Sequence, residues 1–281
     1  MALLQRLAAT RSRIASHTRT RLRRAGFLPV LKRINAGLRS VTARAHKLQF
    51  NLEWKVAPVP EWFDHFLDQH FAWRATGNPL SWERGIFSLL AMKQGCRLLE
   101  LCCGGGFVTR HFYACRAGEI VAVDFDPAAI AHARRFNAAP NIRFDVADIR
   151  QGLPDGPFDN VVWDAAIEHF TEAEIAEILA GVKARLSPGG TLSGYTIREA
   201  AAGKSHPDHE YEFKSKQDLA RFFAPFRHVM VFETVYPTRH NLYFFASDAA
   251  LPFGEGWPGA VRVENPSTLP VAATALAAGR S

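Results

Sequence analysis

Leu98-Leu-Glu-Leu-Cys-Cys-Gly-Gly-Gly-Phe-Val-Thr109 is the stretch on which the fold turns. A short apolar run, interrupted only by Glu100, leads into Gly104, Gly105 and Gly106, and a helical pattern follows. Glycines let a ligand backbone approach closely, and the start of a helix offers N–H groups that no carbonyl has taken. The next apolar run, Ile120–Asp124, ends on an acid twenty residues after Gly104. A carboxylate at that place can accept both hydroxyls of a ribose. Strand, glycine bend, helix, strand and acid together describe a nucleotide-type site in an α/β sheet.

Outward from this stretch, short apolar runs recur at 98–102, 120–124, 142–146, 158–163, 191–197, 229–236 and 241–246. Helical patterns at 108–114, 127–137 and 171–186 separate the first five, which argues for parallel strands with crossover helices on both faces. A helix is expected at 215–223. The last two runs lie close enough, across Tyr236-Pro-Thr-Arg-His240, for an antiparallel hairpin. Upstream, residues 51–95 are rich in Trp and Phe, with helices expected at 61–73 and 82–92 and a turn at 76–81. Residues 250–281 are Pro-, Gly- and Ala-rich and read as a low-complexity tail without a core of its own.

The dinucleotide fingerprint G-x-G-x-x-G fails at Thr109, and its pyrophosphate would be repelled by Glu100 on the strand before the bend. A nucleotide-cofactor oxidoreductase is thus disfavoured. An acid there suits a ligand with a cationic end, such as S-adenosylmethionine.

In this respect Leu99–Gly106 resembles the first motif of the class I S-adenosylmethionine-dependent methyltransferases, with Cys102 where the family places its first glycine. Val121-Ala-Val-Asp-Phe-Asp-Pro127 resembles the second motif, Phe144-Asp-Val-Ala-Asp-Ile149 the third, Phe158–Asp164 the fourth strand, and Leu186-Ser-Pro-Gly-Gly-Thr-Leu192 the turn into the fifth. The resemblance covers about residues 95–247. It implies a Rossmann-like, doubly wound sheet of seven strands, mostly parallel with the last antiparallel, and S-adenosylmethionine as cofactor. It also implies that Glu100, Gly104, Gly106 and Asp164 line the methionine end, with Cys102 in the bend among the cofactor-binding residues. Asp124 would hold the ribose, and Phe125, Asp148 and Ile149 would flank the adenine.

The chain has 281 residues, is 48% hydrophobic and carries a net charge of +7. Residues 1–50 hold twelve of the 34 Lys and Arg and none of the 27 Asp and Glu, so the rest of the chain stands at −5. Within this arm Leu31, Ile34, Leu38, Val41, Ala45 and Leu48 form one helical stripe, with Lys32, Arg33, Arg39, Arg44 and Lys47 around it. Such an arm packs on its own domain, stays partly disordered, meets an anionic membrane surface or neutralises nucleic-acid phosphates. Residues 1–26 also have the Arg-rich, acid-free look of a transit peptide, without the apolar core of a secretory signal. No apolar run approaches the length of a membrane span. The four cysteines lack C-x-x-C spacing, which favours reduced thiols, a cytoplasmic chain and no metal. The sequence therefore divides into a basic arm at 1–50, an aromatic helical cap at 51–95, a cofactor-binding domain at 96–249 and the tail at 250–281.

For the acceptor, His169 lies just past the fourth strand, on the rim where open α/β sheets bind ligands, and is the candidate catalytic base. His206, His209, Glu210 and Tyr211 form a second cluster that reads as a polar lid, with His209 and Tyr211 as substrate candidates and Trp82 as the opposite wall. Asp164-Ala-Ala-Ile167 lacks the Pro-Pro-aromatic sequence that relatives acting on amino groups of nucleic-acid bases carry, and no Pro-Cys pair is present. Nucleic acid is thus disfavoured, leaving a small-molecule, saccharide or lipid-linked acceptor, methylated on oxygen or nitrogen. The alternatives are a methyltransferase-like protein without turnover and an RNA methyltransferase.

Overall fold

The computed structural model describes residues 27–52, 73, 80–200, 203–204, 208–236, 239–251 and 260–266. Residues 61–72 of the helix expected at 61–73, residues 76–79 of the turn expected at 76–81, and His206 lie outside the described residues. The chain divides into two units, residues 1–59 and 60–281.

In the first unit, Phe27–Asn51 is one helix, α1. It contains the predicted stripe, and Leu31, Ile34, Leu38, Val41 and Leu48 are all exposed on it, together with Phe27 and Val30. No described helix is long and apolar enough to cross a membrane.

The second unit begins, among the described elements, with α2 (Leu80–Ala91), β1 (Arg97–Leu101), α3 (Phe107–His111), β2 (Glu119–Asp124), α4 (Pro127–Phe136) and β3 (Ile142–Val146). It continues with β4 (Phe158–Asp164), α5 (Glu172–Arg185), β5 (Leu186–Ile197), α6 (Lys216–Phe222), β6 (His228–Tyr236), β7 (Arg239–Ser247) and β8 (Val261–Glu264). Local chemistry fixes several of these boundaries. Asp126 caps α4, its side chain accepting from the Ala128 N–H, and Pro127 occupies the first turn, where its missing N–H costs nothing. Thr171 and Glu174 close a reciprocal capping box at the start of α5.

The strands form one sheet in the order β3-β2-β1-β4-β5-β7-β6-β8. β1 to β5 pair in parallel, whereas β7 runs antiparallel between β5 and β6. This is the doubly wound sheet expected, with one strand more than the seven predicted. The addition is β8, which pairs with β6 from His228↔Glu264 to Val231↔Val261 within the stretch read as tail.

Apolar side chains cover both faces, as parallel strands require. Leu99, Leu101, Val121, Val123, Val161 and Trp163 face α5 and α6 through Ile175, Ile178, Leu179, Val182, Leu219 and Phe223. Leu98, Ile120, Ala122 and Val162 face α3 and α4 through Phe107, Val108, Ile130 and Ala133. A third cluster places Ala91 and the partly buried Phe87 of α2 against Tyr195, Met230, Phe232, Tyr243 and Phe245. The helix expected at 108–114 is divided into α3 and a 3-10 turn, Tyr113–Cys115, in which Tyr113 is wholly buried.

Gly106 shows why the bend needs glycine. Its φ is +73°, and a Cβ there would stand 2.6 Å from the Phe144 ring and 3.1 Å from the Ala133 Cβ. Gly106→Ala would carry both a left-handed backbone cost and overpacking, together about 2–4 kcal/mol. Urea unfolding should show that loss; a change within about 0.5 kcal/mol would mean that the Phe144 ring and Ala133 yield freely.

Candidate active site

The strand order reverses between β1 and β4, since β2 and β3 lie to one side of β1 and β4 and β5 to the other. The loops leaving these two strands therefore part and open a crevice at their carboxyl ends. A cleft is found there, lined by Arg84, Cys102, Cys103, Gly104, Gly105, Phe107, Val108, Asp164 and Ala165. Cys102 and Ala165, one beyond each strand, both take left-handed backbone, at φ 56° and 53°. Non-glycine residues rarely adopt this conformation, and where they do it often marks a functional turn. Cys102 thus bears in its backbone the cost of standing where the family has glycine.

Asp124 holds the bend from the neighbouring strand. Its Oδ2 accepts from the Gly104 N–H at 2.9 Å and its Oδ1 from the Asp126 N–H at 2.9 Å. Both contacts fix the carboxylate's plane, and the group is buried. Burial moves its pKa up, against the two N–H groups that favour the charged form. Asn137 secures the other side of the bend by donating to the Gly105 carbonyl at 2.7 Å.

Two further acids line one face of the sheet. In β1, Glu100 pairs in register with Val162 of β4, so Glu100 and Asp164 lie diagonally adjacent. Asp164 accepts from the Ser88 hydroxyl of α2 at 3.3 Å and from the Tyr113 hydroxyl. Burial is the main cause that pushes its pKa up to about 6, while the positive charge of Arg84 pulls the other way. Glu100 is 4% exposed, and its Oε2 accepts no hydrogen bond among the described residues. Burial raises its pKa to about 8, the Thr109 side chain and Arg84 opposing and Asp164 adding to the rise.

On the ribose side, Phe125 is 65% exposed directly after Asp124, an aromatic face open to a flat ring, whereas Ile149 is buried. Asp148 is gripped by Arg150, whose Nε lies 2.9 and 3.1 Å from its two oxygens and whose Nη2 lies 2.9 Å from Oδ2. This pairing holds the Asp148 carboxyl below its usual range.

The acceptor rim follows β4 directly, in a 3-10 turn spanning Ile167–His169. The Glu168 carbonyl accepts from the Glu210 N–H at 2.9 Å and the Tyr211 N–H at 3.1 Å, which stitches residues 208–212 onto this turn. His169 and His209 then meet edge to face, with ring centroids 4.8 Å apart. Tyr211 sits beside them, but its hydroxyl lies 3.0 Å from Asp218 Oδ1 and accepts from Arg221 at 2.8 Å. It anchors α6, so its hydroxyl is committed elsewhere than to an acceptor. Trp82 is exposed on α2 and is not among the cleft's lining residues.

With this geometry in place, the sequence pattern of the family described as methyltransferase domain matches residues 98–190, from β1 into β5. Over that stretch the chain is similar to a methyltransferase domain. An uncharacterized methyltransferase of Synechocystis is 36% identical over 107 residues, covering 37% of this chain and 48% of that protein. The ribosomal protein L11 methyltransferase of Burkholderia lata is 26% identical over 149 residues, covering 52% of this chain and 48% of its own. The chain thus spans about half the length of these curated relatives. Among solved structures, the N-methyltransferase NodS of Bradyrhizobium japonicum superposes with a TM-score of 0.51 at 20% identity, over 60% of this chain and 96% of that one. TehB of Haemophilus influenzae does so at 0.50 and 12%, over 64% and 67%. These two likenesses concern the fold.

The cofactor of this methyltransferase family is S-adenosylmethionine, and the buried groups suit it. A pair of carboxylates whose ionisation is resisted by burial, one with an unsatisfied oxygen, is completed by a cation. Arg84 and Ser88 escape sequence reasoning, because they come from a helix 76 to 80 residues before Asp164 and carry no local motif. Tyr113 reads only as an apolar helix position, although its hydroxyl reaches Asp164.

Proposed function

We propose that this chain moves the methyl group of S-adenosylmethionine to an oxygen or nitrogen of a small-molecule, saccharide or lipid-linked acceptor. The single observation behind this reading is the buried Glu100–Asp164 pair at the switch point, with Asp124 fixed across the glycine bend. When bound, the cofactor supplies a methyl group on a positively charged sulfur, ready for in-line displacement. Glu100 and Asp164 would complement the cationic end, Asp124 the ribose hydroxyls, and Phe125 and Ile149 the adenine. Asp148 would meet the adenine only alongside its contact with Arg150. The Arg84 guanidinium would receive the cofactor's carboxylate. Alignment and exclusion of water supply most of the rate in such a transfer, so these residues act mainly by holding geometry.

The cysteines fit a cytoplasmic chain, since all four are free thiols. Burial moves Cys96 up to about 11, and Cys102 and Cys103 upward too, so these three stay protonated. The exposed apolar stripe of α1 and its basic flanks fit an anionic membrane surface. Full-length protein should float with anionic liposomes, and a variant lacking residues 1–50 should not; equal flotation would remove that role from the arm.

Arg84→Ala should weaken S-adenosylhomocysteine binding about tenfold or more yet leave the affinity for 5′-methylthioadenosine, which has no carboxylate, unchanged. Equal losses for both ligands would place Arg84 elsewhere. The acceptor class is read by supplying methyl-tritiated cofactor to fractionated cell extract. Label is expected in the small-molecule, saccharide or lipid fraction; label confined to RNA or protein would overturn the proposed acceptor.

A further inference from the structure

We propose that Glu168, His169 and His209 bind a divalent transition-metal ion on the acceptor rim. Each residue offers one ligand atom, and the three atoms lie within 4.8 Å of one another. Two imidazoles and one carboxylate are a donor set that suits zinc, iron(II), cobalt(II) or manganese(II). His206, which stood near His209 in the sequence, is not needed for it.

Three features show that the arrangement is held rather than incidental. His209 Nδ1 meets the carboxylate of Glu212, whose side chain is fully buried. His169 Nδ1 lies 3.1 Å from the Asp208 carbonyl oxygen. A histidine held through Nδ1 by an oxygen presents Nε2 as its ligating atom, and such partners fix the ring and its tautomer at metal sites. Glu168 is 3% exposed, and its Oε2 accepts from the Thr196 hydroxyl of β5 at 2.9 Å, which aims the carboxylate. The backbone bonds from Glu210 and Tyr211 to the Glu168 carbonyl then bring His209, 40 residues distant, opposite His169. All three candidates thus have a separate anchor.

The site adjoins the cofactor cleft, because Ala165 lines that cleft and Glu168 is close enough for its charge to act on Cys102 and Asp164. Resting on the methyltransferase reading, an ion here would draw an oxygen acceptor to the cleft and make its hydroxyl more acidic. The proton would leave to solvent, the oxygen lone pair would form the new C–O bond, and the S–C bond would break to release S-adenosylhomocysteine. His169 would then serve as a ligand instead of a base.

The test uses the full chain, stripped with chelator and titrated with cobalt(II) while visible absorption is followed. One equivalent is expected to give ligand-field bands without a thiolate charge-transfer band, and zinc should displace it. His209→Gln and His169→Gln should each weaken cobalt binding about tenfold or more, with circular dichroism unchanged. S-adenosylhomocysteine affinity, measured by calorimetry on the same samples, should remain; this separates failure of the metal site from failure of the cofactor site. Absence of stoichiometric binding by the folded wild type, equal binding in both variants, or a thiolate band would each overturn the proposal.

Discussion

Asp124→Ala is expected to lower the affinity for S-adenosylmethionine by at least about a hundredfold. Two hydrogen bonds from ribose hydroxyls to a charged acceptor contribute about 1.5–3 kcal/mol each, and both disappear. The same change frees the Gly104 and Asp126 N–H groups that the carboxylate now receives, so the bend also loses its brace. Asp124→Asn separates the two effects. Asparagine keeps the shape and one acceptor oxygen, but its NH2 would face an N–H donor. Its affinity should therefore fall between those of wild type and alanine, with an unfolding midpoint closer to wild type. Calorimetric titration of both variants checks this, and wild-type affinity in a folded Asp124→Ala protein would remove Asp124 from the ribose.

Cofactor binding should also strengthen with pH, about tenfold from pH 6 to pH 7. Glu100 has its pKa pushed up to about 8 by burial, and Asp164 to about 6 by the same cause. Below pH 8 the empty protein thus holds a proton on Glu100, and a bound cation favours the ionised form, so binding expels that proton. Titrations in buffers of different ionisation enthalpy would detect the release. Glu100→Gln, which cannot ionise, should flatten the pH slope and bind more weakly at pH 8. An unchanged slope would assign the proton to another group. Stability follows the same proton with the opposite sign. Because the folded pKa lies above the ordinary 4.5, the contribution is complete below about pH 4.5 and is lost as pH rises through about 8. The unfolding midpoint of ligand-free protein should therefore fall across that window, and cofactor should restore it.

What could be read in the sequence was what depends on neighbours along the chain. Glu100, the glycine bend and Asp124 follow from strand alternation, a turn composition and a spacing, all local signals. The alternating pattern likewise carried the doubly wound sheet and the β6–β7 hairpin. The residues missed are those brought in by packing. Ser88 and Tyr113 reach Asp164 across 76 and 51 residues, and nothing beside them in the chain marks their destination. β8 was hidden for another reason: Val261-Arg-Val-Glu264 is only four residues long, and its alternation is lost among prolines and glycines. Along the chain His209 stands beside His206 and Glu210, whereas its folded companions are His169, Glu168 and Glu212. The third motif points Asp148 at the adenine, whereas in the fold Arg150, two positions on, holds it by both oxygens.

The account rests on a cleft built around buried acids for a cationic adenosyl compound, and calorimetric titration of the full chain with S-adenosylmethionine tests that most directly. One molecule per chain should bind saturably with release of a proton at pH 7, and the thermal unfolding midpoint should rise. A folded sample that gives neither heat nor a shift would contradict it.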